Sequence, residues 1–338
     1  MAITTYDIAR KAGVHQSTVS RVLSGFPHVH PQTAERVRQA CRELDYVPNA
    51  AARTLRTRRS SAIAVHLPVG TETVLADPFV PVFLSAVSRQ AARHGYSVLL
   101  SNAGSEDDET SLAALIQTRR ADGAIVTSPA QDDPTIETLA RERIPCVLGR
   151  YEGQLSRRMV CVDIDNRHTG RQAGRFLAAR GHRRIGLLTE PPEYLVGRDF
   201  RAGFIEALTQ ADVTCATELL KQSPITFEAA FRAASELLVL RDPPTAIVVN
   251  TELKVFGVLE AVRQSGRNVL VLGVESPLLV FQHPRLPRIR APIDELGRRM
   301  AATLIAMLGA KSPSPQPQML RAQIIDENGN VFGGNDHE

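Results

Sequence analysis

His15, Gln16, Ser17, Thr18, Ser20 and Arg21 form a run of hydrogen-bonding side chains near the N-terminus. Amides, hydroxyls and a guanidinium at this density suit base edges in a DNA major groove and the phosphates beside them. Presenting them takes a short helix, a tight turn and a second helix. Thr5 is placed to cap the first helix, which buries Ile8 and Ala9. Gly13 supplies a turn where a Cβ would crowd, and Val14, Val19 and Val22 give the second helix an apolar seam. The competing account is a small three-helix module whose polar face is merely solvated.

Charge favours the first account. Residues 1–60 carry ten basic side chains, Arg10, Lys11, Arg21, Arg36, Arg38, Arg42, Arg53, Arg56, Arg58 and Arg59. Against them stand four acids, Asp7, Glu35, Glu43 and Asp45, so this part is +6 while the whole chain is +4. A basic head on a near-neutral body is the footprint of a polyanion-binding module joined to something else. The body is ample: 338 residues with 43% hydrophobic and 22% charged content describe a globular protein of more than one domain. Cys41, Cys146, Cys161 and Cys215 are scattered singly, without metal-ligand spacing, and read as reduced thiols. No apolar signal segment opens the chain and no run has the ~18 apolar residues of a membrane span. The expectation is a cytoplasmic protein with no membrane partner and no cofactor.

Further along, Pro31–Leu44 carries Ala34, Val37, Ala40, Cys41 and Leu44 at helical spacing, with Pro31 suited to a first turn. Asn49 is placed to cap a short segment, Ala50–Arg56, ahead of a basic linker at Arg58–Ser61. From Ala62 the texture changes to apolar runs alternating with helical patterns. The runs are Ala62–Leu67, Tyr96–Leu100, Gly123–Thr127, Cys146–Gly149, Val160–Val162, Ile185–Thr189, Thr245–Asn250 and Val269–Val274. Apolar strands separated by helices indicate parallel sheets covered on both faces. Eight of them fit a closed barrel, one open sheet or two smaller sheets, and periodicity does not choose. After a Pro-rich loop, one last strand is expected at Met319–Ile325.

Together these features resemble the lactose-repressor/galactose-repressor family of bacterial transcription factors over nearly the whole chain. The specific part is the head, "DIARKAGV…TVSRVLSG" followed by "RVRQACRELDYVPNAAARTLR". Looser matches follow in order: "DPF" at Asp77, "ADGAIVTSP" at Ala121, "IPCVLGRY" at Ile144, "DN…G" at Asp165 and "GHRRIGLL" at Gly181. Then come "AGFIEAL" at Ala202, "VLGVES" at Val271 and "RIRAPIDELGRRMA" at Arg288. The resemblance implies an α/β protein: an all-α helix-turn-helix head and a two-lobed body like the periplasmic sugar-binding proteins, with two parallel sheets and three chain crossings. The expected limits are 1–48 for the head, 49–60 for a hinge helix and linker, and 61–338 for the body. Lobe one would take about 61–161 plus 290–320, and lobe two about 162–289.

The resemblance also implies roles. Gln16 and Ser17 would choose the half-site sequence, Thr5, Thr18, Ser20 and His28 would meet phosphates or flanking bases, and Arg21 would reach a guanine. His15 departs from the family, which usually has Ser there. Asn49–Arg56 would be the hinge helix, too short to persist alone, ordering when two copies pack in the minor groove. Leu55 would wedge the central base step, Ala52 would allow close approach and Arg56 would follow into the groove or grip its phosphates. Two half-sites imply a homodimer on a near-palindromic operator, with a tetramer left open.

A small-molecule effector, sugar-like, would sit between the lobes and shift operator affinity; whether it releases or tightens binding stays open. Candidates by position are Phe79, Val80, Arg150, Arg198, Phe200, Glu252 and Glu275. Many members carry Arg where this chain has Phe200, and the common final Asp is Glu275. Arg198 and Arg201 lie nearby but out of register.

Two rivals lack support. An enzyme would show a nucleophile elbow, a phosphate loop, a dinucleotide fingerprint or an HExxH pair, and none occurs. His182, the pair His28 and His30, and the acidic turn Asp107–Glu109 do not converge on a site. A transport-type binding protein is opposed by the basic head and the missing signal segment.

Overall fold

The structure is a computed structural model that describes residues 3–23, 26, 28–46, 59–67, 77–101, 111–127, 129, 134–149, 152, 159–309 and 316–333. The expected hinge residues Asn49, Ala52, Leu55 and Arg56 lie outside the described residues, as does Arg150. The chain divides into two compact units, Met1–Ser60 and Ser61–Glu338.

In the first unit, α1 (Thr5–Ala12), α2 (Gln16–Leu23) and α3 (Pro31–Glu43) enclose a core centred on the fully buried Ile8, Val19 and Val37. The cap of α1 is Thr4 rather than Thr5. The Thr4 hydroxyl accepts from Asp7 N and the Asp7 carboxylate accepts from Thr4 N, a capping box that uses both residues' side chains. Thr5 is thereby the first helical residue, its hydroxyl free to meet α2. Gly13 ends α1 at φ 64°, in the left-handed region that a Cβ disfavours.

The second unit holds two sheets. Its elements run β1 (Ala62–His66), α4 (Phe79–Ala92), β2 (Ser97–Ser101), α5 (Leu112–Gln117), β3 (Gly123–Val126), α6 (Pro134–Arg141), β4 (Cys146–Leu148) and β5 (Val160–Ile164). Then follow α7 (Asn166–Ala179), β6 (Ile185–Thr189), α8 (Leu195–Gln210), β7 (Leu220–Gln222), α9 (Phe227–Leu238), β8 (Ala246–Val249), α10 (Glu252–Ser265) and β9 (Leu270–Val274). The chain closes with α11 (Pro277–Gln282), β10 (Arg288–Arg290), α12 (Ile293–Leu308), β11 (Gln318–Leu320), β12 (Gln323–Ile325) and β13 (Val331–Phe332).

Sheet one has the order β11-β5-β4-β3-β1-β2 and is parallel throughout. Sheet two has the order β13-β12-β10-β9-β8-β6-β7, parallel except at its β12 and β13 edge. Burial on both faces explains the uninterrupted apolar runs: β1, β3, β4, β6 and β8 expose almost nothing. Each sheet is sandwiched between two apolar clusters, for example Phe83, Met300 and Leu304 on one face of sheet one and Leu112, Ile136 and Leu139 on the other.

All eight anticipated runs are strands, and two sheets, not a barrel, result. β7, β10 and β13, each short, have too few residues to show a pattern. The tail strand expected at Met319–Ile325 is two strands: Gln318–Leu320 extends sheet one and Gln323–Ile325 joins sheet two, with the chain crossing at Arg321 and Ala322. Likewise β5 belongs to sheet one through Ile164, so the first crossing falls at Asp165, later than expected. The middle crossing lies between Arg290 and Ile293.

Candidate functional site

Two sites emerge, one in each unit. On the head, α2 exposes Gln16, Ser17 and Arg21, with His15 exposed just before it, while Thr18 and Ser20 sit half-buried on its flank. Gln16 Nε2 donates to the Thr5 hydroxyl at 2.9 Å, which ties the start of α2 to α1 and aims the amide. His15 performs a capping role that its residue type did not announce. Its carbonyl accepts from Thr18 N and Val19 N, and its Nδ1 lies 3.3 Å from Ser17 N and 2.9 Å from Ser17 Oγ. An imidazole nitrogen thus does the work of a Ser or Asp N-cap. His15→Ala is expected to lower the stability of the head by about 1 kcal/mol, read as a lower melting midpoint of the isolated 1–60 fragment's helical signal. No change would remove the cap.

His28 is exposed and packs edge-on against Phe26, with ring centroids 5.7 Å apart. Tyr6, 66% exposed in the first turn of α1, is a further amphipathic side chain on the head that the sequence pattern passed over.

In the body a cavity of about 150 Å³ opens between the two sheets, room for on the order of ten water-sized positions. Asp77, Phe79, Val80, Thr127 and Gly149 line it from the first lobe; Glu190, Tyr194, Phe200, Asn250, Thr251 and Glu252 line it from the second. Ile164, Ala291 and Ala322, from the three crossing segments, complete the lining. The position follows from topology: the polar residues stand just past the carboxyl ends of the strands, Glu190 after β6 and Asn250–Glu252 after β8.

The polar groups are connected. Glu190, 2% exposed, accepts from Asn250 Nδ2 and Thr251 Oγ1, each at 2.6 Å. Asp77 Oδ1 accepts from Phe79 N at 3.0 Å, and Asp163 Oδ1 from Ile164 N at 2.7 Å. Burial, and then the neighbouring Asp77 and Glu190 carboxylates, push Glu252 up to about 8. Burial also raises Asp77, with Glu190 adding to it. Beside this group Lys254 is fully buried, and among the described residues its ammonium has no hydrogen-bond partner. Desolvation lowers its pKa, and the Glu190 carboxylate opposes the shift.

Of the expected effector residues, Phe79, Val80, Phe200 and Glu252 come together in this cleft. Arg198 pairs with Glu152 and is absent from the lining. Glu275 is engaged by Arg288 at 2.6 Å and Arg290 at 3.0 Å, which hold its carboxyl below the usual range against the opposing effect of burial. Glu190, Tyr194 and Thr251 went unnamed in the sequence, while Asp77 and Asn250 were met only as parts of a motif and a strand run; the signal for Glu190, Asn250 and Thr251 was polar residues at the end of an apolar run. Elsewhere in lobe one, burial pushes the Cys146 thiol up to about 12, which keeps it protonated and unreactive.

Comparison with known proteins meets this geometry in both units. Residues 4–49 match the family described as bacterial regulatory proteins, lacI family, and residues 72–318 match periplasmic binding proteins and sugar binding domain of LacI family. The HTH-type transcriptional regulator CelR of Thermobifida fusca is 31% identical over 324 residues, covering 94% of this chain and 95% of its own. The repressor CytR of Escherichia coli (strain K12) is 28% identical over 331 residues, covering 96% and 95%. Among solved structures, a CelR–cellobiose complex superposes with a TM-score of 0.75 at 28% identity, covering 97% of this chain and all of that one. The lac repressor dimer bound to operator shares the fold, with a TM-score of 0.82 at 24% identity over 96% of this chain and 98% of that one. A reading head of three helices, a two-lobed body and sequence kinship across both place this chain in the LacI family of DNA-binding transcriptional regulators, which are not enzymes.

Proposed function

We propose that this regulator represses transcription from a near-palindromic operator as a homodimer, and that a small polyhydroxylated effector in the inter-lobe cleft sets its operator affinity. The observation that carries it is the cleft itself: an apolar-walled space with convergent polar groups at the strand ends, lined by both lobes and all three crossings. A ligand held by both lobes binds their two arrangements unequally, and only that difference can shift operator affinity. CelR, in whose complex cellobiose is bound, supports a sugar as the effector class.

We assign residues 1–48 to the reading head, 49–60 to a hinge and linker, and 61–338 to the effector body. Gln16, Ser17 and Arg21 choose the half-site, and Leu55 of the hinge wedges the central step. Pairing has an apolar surface available: α11 leaves Leu278 50% and Phe281 85% exposed, more than a lone subunit gains by showing to water. Among the described residues no helix is long and apolar enough to cross a membrane, in keeping with action on DNA in the cytoplasm.

Selection from a random double-stranded DNA library at physiological salt tests this directly. The expected outcome is an enriched palindrome with two half-sites at fixed spacing; no enrichment with or without a sugar mixture rejects it. On the enriched site, Arg21→Ala is expected to cost about 1–3 kcal/mol and relax preference at one base pair per half-site. Uniform weakening across all sequences would instead make Arg21 a phosphate contact.

A further inference from the structure

The charge balance of the cleft narrows what enters it. Asp77, Asp163, Glu190 and Glu252 line the space, and no Lys or Arg does so among the described residues.

The four carboxyls are not equivalent. Asp77 and Asp163 each take a backbone N–H, and Glu190 takes Asn250 and Thr251 with the Lys254 ammonium close enough to feel its charge. Glu252 is different. It is 6% exposed, lines the cleft, and among the described residues receives no hydrogen bond except from its own backbone N–H. A buried carboxyl so placed, beside two other carboxyls, is short of a donor and short of a positive charge. A metal ion does not fit the shortage: among the described residues no three His, Cys, Asp or Glu side chains stand close enough to hold one.

We infer that the molecule this cleft takes carries a protonated amine on a polyhydroxylated ring, with the ammonium against Glu252. The inference rests on the cleft being the effector site, as proposed above, and names the class of effector. As the ammonium enters, Glu252 gives its proton to solvent and becomes the counter-ion. The resulting charge-assisted hydrogen bonds are about twice as strong as those a neutral hydroxyl would make. Phe79, Tyr194 and Phe200 supply apolar wall for the carbon face of the ring. An amino sugar has both parts.

Calorimetric titration of the full-length protein at pH 6.5 with glucosamine, glucose and N-acetylglucosamine tests the charge, because the three differ only at the 2-substituent. Glucosamine is expected to bind at least about tenfold tighter than either neutral sugar, and Glu252→Gln is expected to erase the difference. Equal or tighter binding of a neutral sugar overturns the inference, and so does binding of none of the three. Val196 also lines the cleft, and Val196→Trp, which fills it, separates this failure from failure of the site. A neutral sugar that binds the wild type but not Val196→Trp leaves the cleft as the effector site and removes only the amine. A sugar that binds both alike removes the cleft as well.

Discussion

Valine in place of Gly203 is expected to destabilise the second lobe by roughly 3 kcal/mol or more. Helices α7 and α8 cross with their backbones nearly touching. A Cβ on Gly203 would fall 1.8 Å from the Arg167 carbonyl oxygen, and one on Gly170 would fall 2.0 Å from that of Phe200. Both obstacles are backbone, so no rotamer change relieves them and the helices must separate. Separation withdraws Phe200 from the cleft wall and opens the cluster of Phe176, Leu177 and Phe204 beneath it. The check is a denaturant titration of the full-length protein followed by ligand titration at low denaturant. A midpoint within error of the wild type would mean that α7 and α8 slide apart at no cost.

The second large effect is a dependence of stability on pH. Glu252 titrates near its ordinary value of 4.5 when unfolded and at about 8 when folded, because burial and the Asp77 and Glu190 carboxylates disfavour its charge. The folded state therefore binds more protons across that interval. The contribution of Glu252 is fully present below pH 4.5 and is lost as pH rises to about 8, for a total of roughly 3–5 kcal/mol. Lys254 runs the other way: with its folded value lowered, it returns stability as pH climbs toward 10.5. The expected result is a falling unfolding free energy between pH 5 and 8 in the unliganded protein, with a shallower slope in Glu252→Gln. Parallel slopes would show that Glu252 is ionised in the empty cleft.

Much of this protein was legible before its structure. The head is local: Ile8, Val19 and Val37 lie on three consecutive short helices, so helical periodicity marks their core and leaves Gln16, Ser17 and Arg21 outside. The cap was misplaced by one residue because Thr4 and Thr5 are chemically alike, and only the reciprocal bond with Asp7 separates them. Strands buried on both faces were equally plain as apolar runs. Their arrangement was not, since an apolar strand looks the same in a barrel, one sheet or two, and family resemblance made that choice. The split of the tail at Arg321 and Ala322 escaped for the same reason: both halves are apolar enough to be strand, and which sheet each joins depends on partners elsewhere in the chain.

The cleft divides in the same way. Sequence alone determined the reading head, its charge and the strand ends where a ligand would be met, because each depends on residues near one another along the chain. Tertiary structure decided which polar groups converge there. Glu275 was turned to Arg288 and Arg290, and Arg198 to Glu152. Glu190 and Glu252, about sixty positions apart, were brought beside Asp77 from the opposite lobe. Proximity of that kind sets the charge on a carboxyl, since repulsion and desolvation act through space and a linear chain records neither.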